Sequence, residues 1–179
     1  MASSDTAPEA CASLMAVWRG LVGLGSTLNL RASLSHVLEV LEKSHGTHSG
    51  SVVLRDEEAG DLAVEAATGR GAEMAGRTRY RLGEGITGRV VQSGRPVVVP
   101  RVSREPLFLN KTRVFKSGGE LSFVCVPIKA DARTVGALGV TFAFAEDRGF
   151  DQEAKFFGTQ LKRLTAPLKQ SASYIIFFI

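Results

Sequence analysis

The sequence predicts an α+β fold, one antiparallel sheet with helices packed on one face, on three observations. Apolar residues near both ends recur at steps of three and four, which marks helices. Two separated runs in the middle alternate with period two, each folded back by a short polar turn. No regular helix stands between the strands to carry a parallel crossover. At 179 residues, 44% apolar and 22% charged, the chain has the length and composition of one globular domain with a sizeable core.

Residues 1–13 open small and polar and are expected to be disordered. From Leu14, the residues Leu14, Val17, Leu21, Leu24 and Leu28 form a helical stripe widened by Trp18. Gly20, Gly23 and Gly25 weaken that helix by about 1 kcal/mol each relative to alanine, so packing must support it. A second helix carries Leu34, Val37, Leu38 and Leu41, with Ser33 as candidate cap and Gly46 as stop. Residues 51–55 and 62–68 read as a hairpin around the polar turn 56–61. Residues 86–92 supply one or two helical turns, Ser93-Gly94-Arg95-Pro96 turns the chain, and Val97-Val98-Val99 is a strand stopped by Pro100. A long irregular segment, 103–120, precedes a second hairpin, 121–129 and 134–145. Segments of that length in compact domains are functional or disordered. A last helix from Asp151 repeats Phe150, Ala154, Phe157, Leu161, Leu164 and Leu168 at the spacing of a packed seam, until Pro167 kinks or ends it.

The longest uncharged apolar stretch, 135–145, is about half of the ~20 residues that cross a bilayer. The chain start lacks a basic-then-apolar signal pattern, and Cys11 and Cys125 are too few and too far apart for a disulfide framework or a cysteine-rich zinc site. A cytoplasmic protein without membrane contact is expected. The net charge of +4 hides an asymmetry: between Arg77 and Lys116 stand ten basic residues against Glu84 and Glu105. That stretch suits an anionic ligand or an acidic protein surface, the alternative being a solvated arginine-rich face.

No catalytic constellation stands out. Gly83-Glu84-Gly85-Ile86-Thr87-Gly88 spells G-x-G-x-x-G, yet a dinucleotide site needs a buried strand before it and a full crossover helix after it. Here Arg77-Thr78-Arg79-Tyr80-Arg81 is too basic for a central parallel strand, and Gly94 and Pro96 break the helix early. The glycines are expected to permit a tight, positive-φ entry into the short helix. Residues 71–78 nearly match a phosphate-binding loop, but Arg77 stands in the lysine position, which leaves a surface turn. His45 and His48 lack a third metal ligand, and no metal is expected. Strand alternation puts Phe123 and Cys125 on one face with Val124 and Val126 on the other, so Cys125 reads as a buried small hydrophobe.

The run Arg79-Tyr80-Arg81-Leu82-Gly83-Glu84-Gly85-Ile86-Thr87-Gly88-Arg89-Val90-Val91-Gln92-Ser93-Gly94-Arg95-Pro96-Val97-Val98-Val99-Pro100 resembles the GAF domain, and within it the amino-terminal GAF domains of NifA-type, Nif-specific regulatory proteins. Glu105-Pro106-Leu107-Phe108-Leu109-Asn110, Phe123-Val124-Cys125-Val126-Pro127-Ile128-Lys129, Val135-Gly136 and Leu138-Gly139-Val140 carry the same likeness, over about residues 14–168. It implies a GAF-like sheet with the terminal helices on one face and a loop and short-helix lid on the other. The GAF domain would span 14–170, followed by a tail, 171–179, unlike the charged linker expected of the family.

The resemblance implies a bacterial activator working with sigma-54 RNA polymerase at nitrogen-fixation promoters. In such proteins the GAF domain controls an ATPase domain, and some members bind 2-oxoglutarate to oppose an inhibitory partner protein. For this chain it implies a non-enzymatic sensor without cofactor or direct DNA contact, taking a small anion such as 2-oxoglutarate. The candidate ligand residues are Arg89 on the short helix, Phe108, Asn110, Lys111 and Arg113 on the lid, and Phe123 and Cys125 on the floor. A homodimer through the first and last helices is expected, and the alternative is a dimerisation or interaction module with no small-molecule ligand. Some GAF proteins reduce methionine sulfoxide through cysteines, a chemistry for which Cys11 and Cys125 are badly suited.

Overall fold

A computed structural model of the chain describes residues 28–113, 119–130, 132–145 and 159. Helix α1 (Leu28–His45) leads into hairpin β1 (Ser49–Arg55) and β2 (Leu62–Ala67), a 3-10 turn (Gly69–Met74) and a short strand β3 (Arg79–Tyr80). Helix α2 (Gly85–Ser93), strand β4 (Val97–Val99) and a second 3-10 turn (Val102–Arg104) follow, then hairpin β5 (Leu121–Ala130) and β6 (Arg133–Ala143). The sheet runs β3-β2-β1-β6-β5-β4, antiparallel throughout, with β1 and β6 joining the two hairpins at its centre.

Strand alternation builds two cores. On one face, Val37, Leu38 and Leu41 of α1 pack on Val52, Ala66, Val124, Val126, Leu138 and Phe142. On the other, Ile86, Val90 and Val91 of α2 pack with Val53, Val64, Cys125 and Ala137. Each such buried aliphatic contributes roughly 1.5–3 kcal/mol through area removed from water. No helix among the described residues is long and apolar enough to cross a membrane.

Several sequence expectations change. Ser33 is not a helix cap: α1 runs from Leu28 through it, since a serine inside a helix costs only a few tenths of a kcal/mol. Gly46 does stop α1, at φ 62° with its N–H on the Glu42 carbonyl at 3.1 Å. The basic stretch 77–81, too charged for a central strand, contributes β3 at the sheet edge, where charge is tolerated. There Arg79 reaches Asp56 at 2.9 Å and also Asp61, and binds the end of the first hairpin. The first helix expected over 14–28 (apart from Leu28), the last over 151–168 (apart from Thr159), the terminal segments 1–13 and 171–179, and the dimer seam lie outside the described residues.

The β3–α2 junction decides where α2 sits. Arg81-Leu82-Gly83-Glu84 forms a turn, with the Glu84 N–H on the Arg81 carbonyl at 3.0 Å and Gly83 at φ 81°. Gly83 and Gly85 (φ 60°) take the expected positive φ, but Gly88 does not. Its constraint is proximity: a Cβ there would lie 2.5 Å from the Arg81 carbonyl oxygen and 3.0 Å from Gly83 backbone atoms. Alanine gains about 1 kcal/mol of helix propensity, whereas a clash with fixed backbone cannot be relieved by a rotamer change. Gly88→Ala is therefore expected to lose about 1–3 kcal/mol net of that gain, read as a lower urea midpoint at unchanged slope. A variant as stable as the parent would contradict this packing.

Candidate functional site

Central strands covered on both faces should be apolar throughout. On the α2 face, however, β1 carries Ser49 and Ser51, and β6 carries Gly139 and Thr141. The polarity is there because α2 packs over β5 and β6 and leaves this end of the central strands uncovered by a helix. A cavity open to solvent at its mouth occupies the gap.

The floor is built by register. Ser49, Thr141 and Phe123 lie side by side across three strands, and Ser51, Gly139 and Cys125 form the next row. The Ser49 and Thr141 hydroxyls share a 2.7 Å hydrogen bond and are 4% and 2% exposed. Gly139 makes room for its neighbour: a Cβ there would sit 2.8 Å from the Phe123 ring, which therefore leans over the glycine. Tyr80 from β3 and Ile86 and Thr87 from the first turn of α2 form the wall.

The roof comes from the described part of the long segment, residues 103–113, and Ser103 at its start is tied to Glu120. The Ser103 N–H and hydroxyl donate to the Glu120 carboxylate at 3.2 and 2.5 Å, and the Arg101 guanidinium stacks on the Phe144 ring at 4.2 Å. Within it, residues 105–113 lie over the cavity as a lid. Phe108 meets Phe123 edge to face, with centroids 5.1 Å apart, and Leu107 and Leu109 close on Gly85, where a Cβ would come within 2.8 Å of Leu109. Asn110 and Arg113 hold left-handed φ values of 44° and 54°, conformations that persist only where surrounding contacts impose them.

Of the seven residues expected from sequence, Phe108, Asn110 and Phe123 line this cavity. Arg89 and Arg113 are exposed and stand outside the lining. Lys111 is half-buried, with its ammonium 2.7 Å from Glu84, 2.9 Å from the Arg79 carbonyl and 4.8 Å from the centroid of the lining Tyr80 ring. Cys125 is fully buried beyond the lining and shares a hydrogen bond with Thr87. The sequence reading missed Ser49, Ser51, Tyr80, Thr87, Thr112, Gly139 and Thr141 of the lining. Their signal was small and hydroxylated residues at alternate positions of otherwise β-branched strands.

The electrostatics are those of neutral hydroxyls with charge at the rim. No ionised side chain is among the described lining residues. At the rim, the hydrogen bond from Lys111, then that from the Arg81 N–H, hold the Glu84 carboxyl below the usual carboxylate range. Burial pushes the Cys125 thiol up to about 12 despite the Thr87 hydrogen bond. Burial, followed by the Cys125 and Glu84 charges, pushes the Tyr80 phenol up to about 12. Among the described residues no cluster of three or more metal-ligating side chains occurs.

Among the described residues, a six-stranded antiparallel sheet carries α1 on one face and a short helix and lid over a cavity on the other, which is the GAF architecture, and the chain belongs to the GAF domain family, whose model matches residues 27–166. It is similar to the Nif-specific regulatory protein of Azospirillum lipoferum, at 40% identity over 145 residues, 79% of this chain and 22% of that one. The chain thus spans about a fifth of the length of the curated relatives it matches. Among solved structures it resembles the GAF domain of an Acinetobacter phosphoenolpyruvate-protein phosphotransferase (TM-score 0.72, 20% identity, 96% of this chain and 97% of that one). It also resembles a free methionine-R-sulfoxide reductase from Neisseria meningitidis (TM-score 0.70, 21% identity, 96% of both chains). At those identities the structural likenesses establish the fold.

The raised acids set an alkaline limit. Unfolded, Cys125 and Tyr80 ionise near 9.0 and 10.0; folded, both hold their protons to about 12. Their contribution to stability is thus fully present below pH 9 and is lost as the pH climbs toward 12. Denaturant midpoints measured from pH 7 to 11 should be flat at first and then fall, and Cys125 should resist alkylation until the chain unfolds. A midpoint that stays level across the range would contradict the burial assigned to these groups.

Proposed function

We propose that this chain is the regulatory, ligand-sensing domain of a nitrogen-fixation transcription activator, with a small anion such as 2-oxoglutarate held between the sheet and the lid. The observation that carries this reading is the buried Ser49–Thr141 hydroxyl pair on the floor of a lidded cavity. A buried hydroxyl pair at the bottom of an accessible cavity offers hydrogen bonds that an apolar core would not retain. The first turn of α2, whose Ile86 and Thr87 line the cavity, adds the positive end of a helix dipole. Asn110, Phe108 and Phe123 orient the ligand, and Lys111 supplies a cation at the rim. Similarity to proteins named Nif-specific regulatory protein supports the regulatory setting.

In a longer protein of that kind, occupancy of the cavity would control a downstream ATPase domain and the response to a regulatory partner protein, with the GAF units paired through their terminal helices. The domain itself acts in the cytoplasm without binding DNA and without catalysis. Cys125 lies outside the cavity lining, which argues against a thiol reaction there.

Calorimetric titration with 2-oxoglutarate, beside succinate and cyclic nucleotides, tests the proposal. Saturable binding of 2-oxoglutarate is expected, and Thr141→Val should weaken it by about 0.5–1.5 kcal/mol by removing one neutral hydrogen-bonding group. Absence of saturable binding by the parent would favour the interaction-module reading.

A further inference from the structure

The described residues of the cavity lining carry no charge, so an anion among them would draw its counter-ion from the rim. Lys111 is placed to supply one: its flanking residues Asn110 and Thr112 line the cavity, and its ammonium lies over the ring of Tyr80, another lining residue. In the structure that ammonium is already engaged, 2.7 Å from Glu84 Oε1.

Each partner of this ion pair also holds one backbone hydrogen bond: Glu84 Oε2 accepts the Arg81 N–H at 2.7 Å, and Lys111 Nζ donates to the Arg79 carbonyl at 2.9 Å. They differ in reach. Glu84 stands at the start of α2 on a short stem, whereas the Lys111 ammonium carries three donors at the end of a flexible four-carbon stem. The ammonium is therefore the member able to turn a donor from Glu84 toward a ligand while it keeps the Arg79 carbonyl.

We infer that Glu84 is an internal competitor for the ligand: its carboxylate occupies Lys111 while the cavity is empty, and an incoming carboxylate takes Lys111 from it. The inference rests on the sensing role proposed above and adds that Glu84, outside the cavity lining, sets the threshold at which an anion is detected. Because Lys111 belongs to the lid and Glu84 to the start of α2, the exchange also replaces a tie between lid and helix with one between lid and ligand. Occupancy is thereby converted into a change at the surface of the domain.

Glu84→Gln tests this cleanly, since the amide oxygen still accepts the Arg81 N–H while the competing charge is gone. With 2-oxoglutarate as probe, calorimetry should show binding about tenfold tighter in Glu84→Gln and at least about tenfold weaker in Lys111→Met, as expected for gaining or losing one charge-assisted contact. The double variant should match Lys111→Met alone, and the uncharged dimethyl ester of 2-oxoglutarate should bind parent and Glu84→Gln equally. Thermal melts of all four proteins separate these effects from misfolding. Equal 2-oxoglutarate affinity in parent and Glu84→Gln, a tightening that survives in the double variant, or a matching gain with the ester would overturn the exchange and leave the sensing role standing. No anion binding by any of the four would overturn both.

Discussion

At Gly88 the first turn of α2 lies so close to the Arg81 and Gly83 backbone that no side chain fits between them. This close approach fixes the height and reach of α2 above the sheet, and the lidded face depends on it. Anchored there, the nine-residue helix covers β5 and β6 and ends at Gly94, whose left-handed φ of 64° closes its last turn on the Val90 carbonyl. One turn earlier, Gly85 lets Leu107 and Leu109 of the lid close on the helix start. A glycine motif that could be mistaken for a phosphate-binding fingerprint is here a packing device that sets the wall of the cavity.

The opposite face shows what the chain does when no cavity is needed. There α1 lays Val37, Leu38 and Leu41 on an apolar surface of Val52, Ala66, Val124, Val126, Leu138 and Phe142, with Gly50 beneath Leu38 and the buried Ser122 hydroxyl donating to the Pro100 carbonyl at 2.7 Å. The same strands present serine, glycine and threonine to the lid side, so one β-strand carries two chemistries by alternation. A stable core on the α1 face offsets the cost of a floor that keeps polar groups out of bulk water. This division of labour allows a small domain to hold a cavity without giving up its sheet.

Most of the fold was legible in the sequence because hairpins and helices announce themselves by period. The alternation of Phe123 and Cys125 against Val124 and Val126 put the right residues on the right faces. What periodicity could not see was β3: Arg79 and Tyr80 form a two-residue strand justified by Asp56 and Asp61, charges more than fifteen residues away in the chain. The same holds for the cavity. Phe108, Asn110 and Phe123 could be named from sequence, but the hydroxyls that define the floor become neighbours only through the β1–β6 pairing of residues some ninety positions apart. The arginine count pointed toward an anion, whereas the geometry leaves Arg89 and Arg113 facing solvent and brings Lys111 to the rim with Glu84 as its counter-ion.

If a small anion binds as proposed, it should enter the α2 face and not the α1 face. Amide chemical-shift mapping of the protein titrated with 2-oxoglutarate tests it most directly. Shifts are expected to concentrate at Ser49, Ser51, Thr87, Asn110, Thr112 and Thr141, with Val37, Leu38 and Leu41 of α1 unmoved; shifts centred on α1, or spread evenly over both faces, would contradict binding on the α2 face.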